Sequence, residues 1–190
     1  MIHPIQLEGL WDEGYALDIY TVSSTYLGEG PFGNPMYDTV RTEIGQLLYS
    51  FKYNGHLDTR DQIATAATPF LLKWLKDKNI SAVLPCPSSK ERYVQPVVAI
   101  SEAIAQELGI HCVSDVLEKR TSLLTKDLPK DQRDLSGSIV QTKPARMDCN
   151  VLLIDDLFDT GATANECVRV LQLDPHIKKV YFLAVAKNRK

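Results

Sequence analysis

A chain of 190 residues with 44% hydrophobic residues is long enough for one well-buried domain and leaves little for a second. Its formal charge of −3 supplies no global positive field, so charge alone gives no sign of nucleic-acid coating or of attraction to an anionic membrane. No apolar run approaches the roughly 18 residues of a membrane span, and Met1 to Gly14 lacks the charged flank and apolar stretch of a signal peptide; a soluble, cytoplasmic protein with no membrane partner is expected.

Taken in chain order, Tyr15 to Leu27 is rich in β-branched and aromatic residues, and Gly28 to Pro35 supplies turn chemistry. A strand or hairpin beside the main domain is expected there. Residues 1–37 read as an N-terminal extension, a hood or an interface, and residues 38–190 as the principal domain. Asp38 is expected to cap a helix through Val40, Ile44, Leu47, Leu48 and Phe51, whose shared stripe reads as core packing. Asp58 or Thr59 opens a second helix with Ile63, Ala66, Ala67, Phe70, Leu71, Trp74 and Leu75 on its apolar side.

The pattern then alternates. Ser81 to Leu84 reads as a short strand stopped by Pro85, and Val94 to Leu108 as a helix ending at Gly109. His111 to Leu117 and Val151 to Ile154 read as strands, Thr163 to Leu173 as a helix, and Lys179 to Ala186 as a final strand. Strands alternating with helices predict an α/β domain with a mostly parallel sheet, in which ligands sit beyond the carboxyl ends of the strands. The four cysteines, Cys86, Cys112, Cys149 and Cys167, form no Cys-x-x-Cys pair, which argues against a zinc ribbon or redox motif and for reduced thiols. The polar stretch from Lys119 to Arg146 carries seven basic residues against three acidic ones. Such a segment suits an anionic ligand, while for any single residue in it a solvated loop is the plainer reading.

One segment concentrates the chemistry. Val151 to Ile154 is apolar at every position, as a strand buried on both faces must be, and it runs into Asp155-Asp156-Leu157-Phe158-Asp159-Thr160-Gly161-Ala162-Thr163. Two acceptor-only carboxylates at a strand end suit a vicinal diol offering two donors. Gly161 permits a backbone turn closed to other residues, Thr160 and Thr163 supply hydroxyls, and the first amides of the following helix form an anion nest. A strand ending in two aspartates also occurs in receiver domains, but there the pair follows the first strand. No Walker A Gly-Lys-Ser/Thr is present.

Val151 to Thr163 resembles the phosphoribosyl-pyrophosphate signature of type I phosphoribosyltransferases. The longer pattern resembles the ComF-like proteins among them: Phe51-Lys52-Tyr53 with Gly55, Leu84-Pro85-Cys86-Pro87 followed by Lys90 and Arg92, Gln95, Lys119-Arg120, Leu128 and Arg133. The paired-cysteine zinc ligands with which ComF proteins often start have no counterpart here, and the family's Arg-Gly-Phe-Asn-Gln run is reduced to Arg92-Tyr93-Val94-Gln95.

The resemblance implies the type I phosphoribosyltransferase fold, with a strand-rich N-terminal extension, and Mg2+ as cofactor. It implies that Asp155 and Asp156 hold the ribose diol, partly through magnesium, and that Asp159, Thr160, Gly161, Ala162 and Thr163 cradle the 5′-phosphate. Asp159 is also where some relatives place a general base; fixing the loop through backbone amides is the alternative. Pro87, Ser88, Ser89, Lys90 and Arg92 match a pyrophosphate loop. Lys126, Lys130 and Arg133 are candidates to neutralise the departing pyrophosphate. The implied activity is transfer of the phosphoribosyl group of phosphoribosyl pyrophosphate to a nucleobase-like acceptor, with release of pyrophosphate. The alternative is a non-catalytic module that binds phosphoribosyl pyrophosphate or a nucleotide and regulates a partner protein or a DNA uptake or defence process. Relatives commonly dimerise, so the resemblance allows a homodimer.

Overall fold

The structure, a computed structural model, describes residues 2–88, 93–120 and 137–189. Strands β1 (Ile5–Gln6), β2 (Glu13–Ala16), β3 (Thr21–Glu29) and β4 (Pro35–Arg41) precede helices α1 (Glu43–Tyr53) and α2 (Thr59–Leu75). There follow β5 (Ile80–Pro85), α3 (Pro96–Leu108), β6 (His111–Cys112), β7 (Leu117–Lys119), β8 (Ile139–Gln141), β9 (Cys149–Phe158), α4 (Ala162–Leu171) and β10 (Ile177–Lys187).

Among the described residues the main sheet has six strands in the order β1-β2-β10-β9-β5-β6. Every neighbouring pair is parallel except the edge pair of β1 and β2. This is the expected α/β architecture, a mostly parallel sheet flanked by helices. Because both faces are covered, β9 has to be apolar along its length rather than alternating. Its residues still alternate in direction. Leu152 and Ile154 join Leu48, Ile63, Leu71, Ile100 and Ile104 from α1, α2 and α3 on one face. Val151 and Leu153 join Leu7, Trp11, Cys167, Val168 and Leu171 on the other, under α4.

The N-terminal strands are present but divided. β1 and β2 are built into the main sheet, with β2 parallel to β10, whereas β3 and β4 pair only with each other. Asp38 does not cap a helix. It lies in β4 opposite Thr25, and α1 begins at Glu43 behind Thr42, whose hydroxyl accepts from the Gly45 amide at 3.0 Å and donates to the Ile19 carbonyl at 2.6 Å. Tyr37, Thr39 and Val40 favour extended backbone, and Val40 shares the helical stripe only in sequence; it is 51% exposed. The strand expected from His111 to Leu117 is also interrupted. Ser114 and Asp115 form a turn, as their side chains favour, and Leu117 starts a separate two-stranded ribbon with β8.

Candidate functional site

The central strand β9 sets the site. Its apolar part, Val151 to Ile154, is at most 3% exposed, and the strand continues beyond the expected end through Asp155, Asp156, Leu157 and Phe158. The pleat that buries Leu153 and Ile154 on opposite faces sends Asp155 and Asp156 to opposite sides of the strand. Asp156 turns toward α1, where its Oδ2 meets Lys52 Nζ at 2.9 Å, with the two side chains 20% and 12% exposed. Asp155 Oδ1 accepts the Asp156 amide at 2.8 Å.

Electrostatics separate the two acids further. Burial, and then the neighbouring charge of Asp156, push the Asp155 carboxyl from 3.8 up to about 7, against the Asp156 amide, Lys52 and Lys119. Near neutral pH this carboxyl therefore exchanges readily between acid and carboxylate, and a bound cation or pair of hydroxyl donors would favour the carboxylate.

Past the acids the chain makes a tight turn into α4. Gly161 sits at φ +78° as the residue preceding that helix. A Cβ there would come within 2.8 Å of the Phe158 ring, which is itself fixed edge-on to Trp11 at 6.1 Å. Two independent constraints therefore require glycine. No side chain caps α4, and no acidic residue lies in its first turn; the Ala162 amide reaches Thr160 Oγ1 only at 3.4 Å. Helix amides and the positive end of the dipole are left facing a turn in which Asp159 and Thr160 are exposed.

The loop after β5 is drawn to the same place. Pro85 is in register with Ile154, and the Cys86 amide donates to the Ile154 carbonyl at 2.7 Å. Pro87 and Ser88 thus leave the sheet beside Asp155. Ser88 Oγ donates to Gln95 Oε1 at 2.7 Å, tying the loop to the start of α3. Cys86 is buried; burial, its contact with Cys167 and the charges of Asp155 and Asp156 push its thiol well above the usual range. It has the character of a packing residue rather than of a nucleophile.

Asp155, Asp156, Asp159, Thr160, Gly161, Ala162 and Thr163 thus follow one another from β9 into the start of α4, and Pro87 and Ser88 leave the adjacent strand β5. Ser89, Lys90 and Arg92, and Lys126, Lys130 and Arg133, lie outside the described residues. Two basic residues gain roles that their sequence context did not assign. Lys52 neutralises Asp156, and Lys119, at the end of β7, acts on Asp155. The available signal was the Phe51-Lys52-Tyr53 and Lys119-Arg120 pattern itself. No group of three or more His, Cys, Asp or Glu poised for a metal occurs among the described residues. The acid pair does fit magnesium in the way that ion is commonly held, by one or two carboxylates with phosphate and water oxygens completing the shell. A cavity of about 620 Å³ lies elsewhere, and none of these residues lines it.

No protein-family model matches this sequence, and no curated protein matches it. Similar backbones occur among solved structures. One is adenine phosphoribosyltransferase from Giardia lamblia complexed with 9-deazaadenine, at 15% identity and TM-score 0.47, covering 88% of this chain and 94% of that one. Another is adenine phosphoribosyltransferase from Saccharomyces cerevisiae with an imino-altritol bisphosphate and adenine, at 14% identity and TM-score 0.46, covering 87% and 84%. A third is hypoxanthine-guanine phosphoribosyltransferase from L. donovani, at 11% identity and TM-score 0.41, covering 85% and 75%. Likeness at this level carries no residue roles and no chemistry to this chain.

Proposed function

We propose that this protein binds phosphoribosyl pyrophosphate with magnesium and transfers the phosphoribosyl group to a nucleobase-like acceptor, releasing pyrophosphate. One observation carries the reading: an acid pair at the end of a central parallel strand is followed, across a glycine turn, by an uncapped helix N-terminus. Carboxylates suit the ribose diol and helix amides suit the 5′-phosphate, and their succession along one strand and turn supports a single ligand for both. The three solved structures described above are phosphoribosyltransferases by name; the proposal rests on the site and not on them.

In this reading Asp155 and Asp156 orient the ribose. Asp159 to Thr163 hold its phosphate, and Pro87 and Ser88 begin the loop that takes the pyrophosphate, continued by Ser89, Lys90 and Arg92. Magnesium, when bound with the substrate, supplies charge neutralisation of the departing pyrophosphate. Lys126, Lys130 and Arg133 add cationic charge over it, and exclusion of water protects the electron-poor ribose C1.

Incubation with phosphoribosyl pyrophosphate, magnesium and a panel of nucleobases should release pyrophosphate with one of them. Asp155→Asn and Asp156→Asn should each abolish calorimetric binding of phosphoribosyl pyrophosphate. Unchanged affinity in both variants would sink the site. A second reading is a ComF-like module that binds the same ligand without turnover. It is favoured by the Lys52–Asp156 ion pair, which satisfies one of the two carboxylates from within the protein. Tight binding with no pyrophosphate released from any base would decide for it.

A further inference from the structure

The cavity of about 620 Å³ has no part in that reading. It opens on the face of the sheet that carries α4, between β5 and the turn after β6, while α2 and α3 pack on the opposite face. Its floor and walls are apolar: Ala82 and Leu84 of β5, Val151 of β9, Ile177 of β10, and Val113 and Val116 from the turn between β6 and β7. The volume falls in the range of ligand pockets, about 300–1,000 Å³.

The polar groups around it are already paired within the protein. Gln141 Nε2 donates to Asp174 Oδ2 at 2.7 Å and to the Lys143 carbonyl at 2.9 Å. Thr142 Oγ1 donates to the Asp115 carbonyl at 2.5 Å. The nearby carboxylates are paired as well: Asp115 with Lys143, Asp148 with His176 and Lys178, and Asp174 with the Ala145 and His176 amides. Arg146, which lines the cavity, is exposed and has no ion pair among the described residues. An apolar chamber with one unpaired guanidinium at its mouth calls for an apolar body ending in one anion. A carboxylate matches the guanidinium fork in two hydrogen bonds.

We propose that this cavity is a binding site, separate from the acid pair, for an aliphatic monocarboxylate whose hydrocarbon body lies against Leu84, Val116 and Val151 and whose carboxylate meets Arg146. Decanoate is the probe, and 1-decanol its neutral analogue. Calorimetric titration of the full chain should show one saturable decanoate site. Arg146→Glu, a surface change, should weaken decanoate at least about tenfold while altering decanol by less than about twofold. Val116→Trp, which fills the chamber, should remove both. Cys149 also lines the cavity, so decanoate should slow its alkylation by iodoacetamide, located by peptide mass spectrometry, without any substitution. The proposal is overturned by absent saturation at millimolar decanoate, by equal decanoate affinity in Arg146→Glu, or by an unprotected Cys149.

Discussion

Asp155 is held at odds with its surroundings, and that has a measurable consequence. In the unfolded chain its carboxyl ionises near 3.8, whereas in the folded chain it keeps its proton up to about 7. The folded state therefore binds the extra proton between those values. Its stabilising effect is full below pH about 4 and is lost as pH rises to about 7. A tenfold difference in proton affinity is worth about 1.36 kcal/mol, so the loss is on the order of 4 kcal/mol. Carboxylates held below their usual range, such as Glu166 by Arg169 and Asp174 by the Ala145 amide, act in the opposite direction. Their contribution declines only as pH falls below about 4.5. Urea unfolding of wild type and Asp155→Asn at pH 5 and pH 8 should show the variant gaining distinctly more stability at pH 8 than at pH 5. Equal pH dependence in both proteins would refute the raised carboxyl. The turn residue is as exposed to test. Gly161→Ala meets both a left-handed backbone and the Phe158 ring, and it should cost about 1–3 kcal/mol in the same assay. The acids and the glycine were legible in the sequence because their neighbours in the chain are also their neighbours in space. The partner of Asp156 was not, because Lys52 lies on α1 and reaches the acid only once that helix has packed across the sheet.

At the scale of elements, the periodic helices and the buried strands β5, β9 and β10 were legible, and the boundaries of the exposed extended segments were not. Helices α2 and α3 appear close to where their apolar stripes and capping residues place them. The β3–β4 ribbon was legible in part, as a strand or hairpin from Tyr15 with a turn at Gly28 to Pro35, but its return strand through Asp38 and the break after Cys112 depend on cross-strand pairing, which a local pattern does not encode. One element keeps an internal conflict. Pro69 lies inside α2, where it has no amide to donate to the helix. It is exposed, so its replacement disturbs little packing. Pro69→Ala should stabilise the protein by about 1–2 kcal/mol. This is less than the full helix penalty of about 3 kcal/mol, because proline also restricts the unfolded chain. A urea midpoint unchanged or lowered would show that the ring supports packing against neighbouring residues.

For the whole molecule, the alternating pattern was enough to predict a parallel sheet, but the sequence did not reveal that β2 would be recruited beside β10 at one edge. Only long-range pairing decides that. The fold also predicts how ligand and stability are linked. Phosphoribosyl pyrophosphate with magnesium at a hundredfold excess over its Kd should stabilise the folded chain by about 2.7 kcal/mol. For a chain of this size that is a rise in Tm of about 5–10 °C, which Asp156→Asn should remove. A melting curve that ignores the ligand would count against the site as a whole. The hydrogen bond from the Cys86 amide to the Ile154 carbonyl has a wider meaning. It makes the sheet a ruler: the loops after β5 and β9 issue from adjacent strands, and parallel neighbours stand about 4.8 Å apart. β5 stops at Pro85 opposite Ile154, however, whereas β9 runs on four residues to Phe158, so the two loops leave the sheet about 13 Å apart along the strand direction. A single molecule that touched both would have to be elongated along the strands rather than across the gap between them.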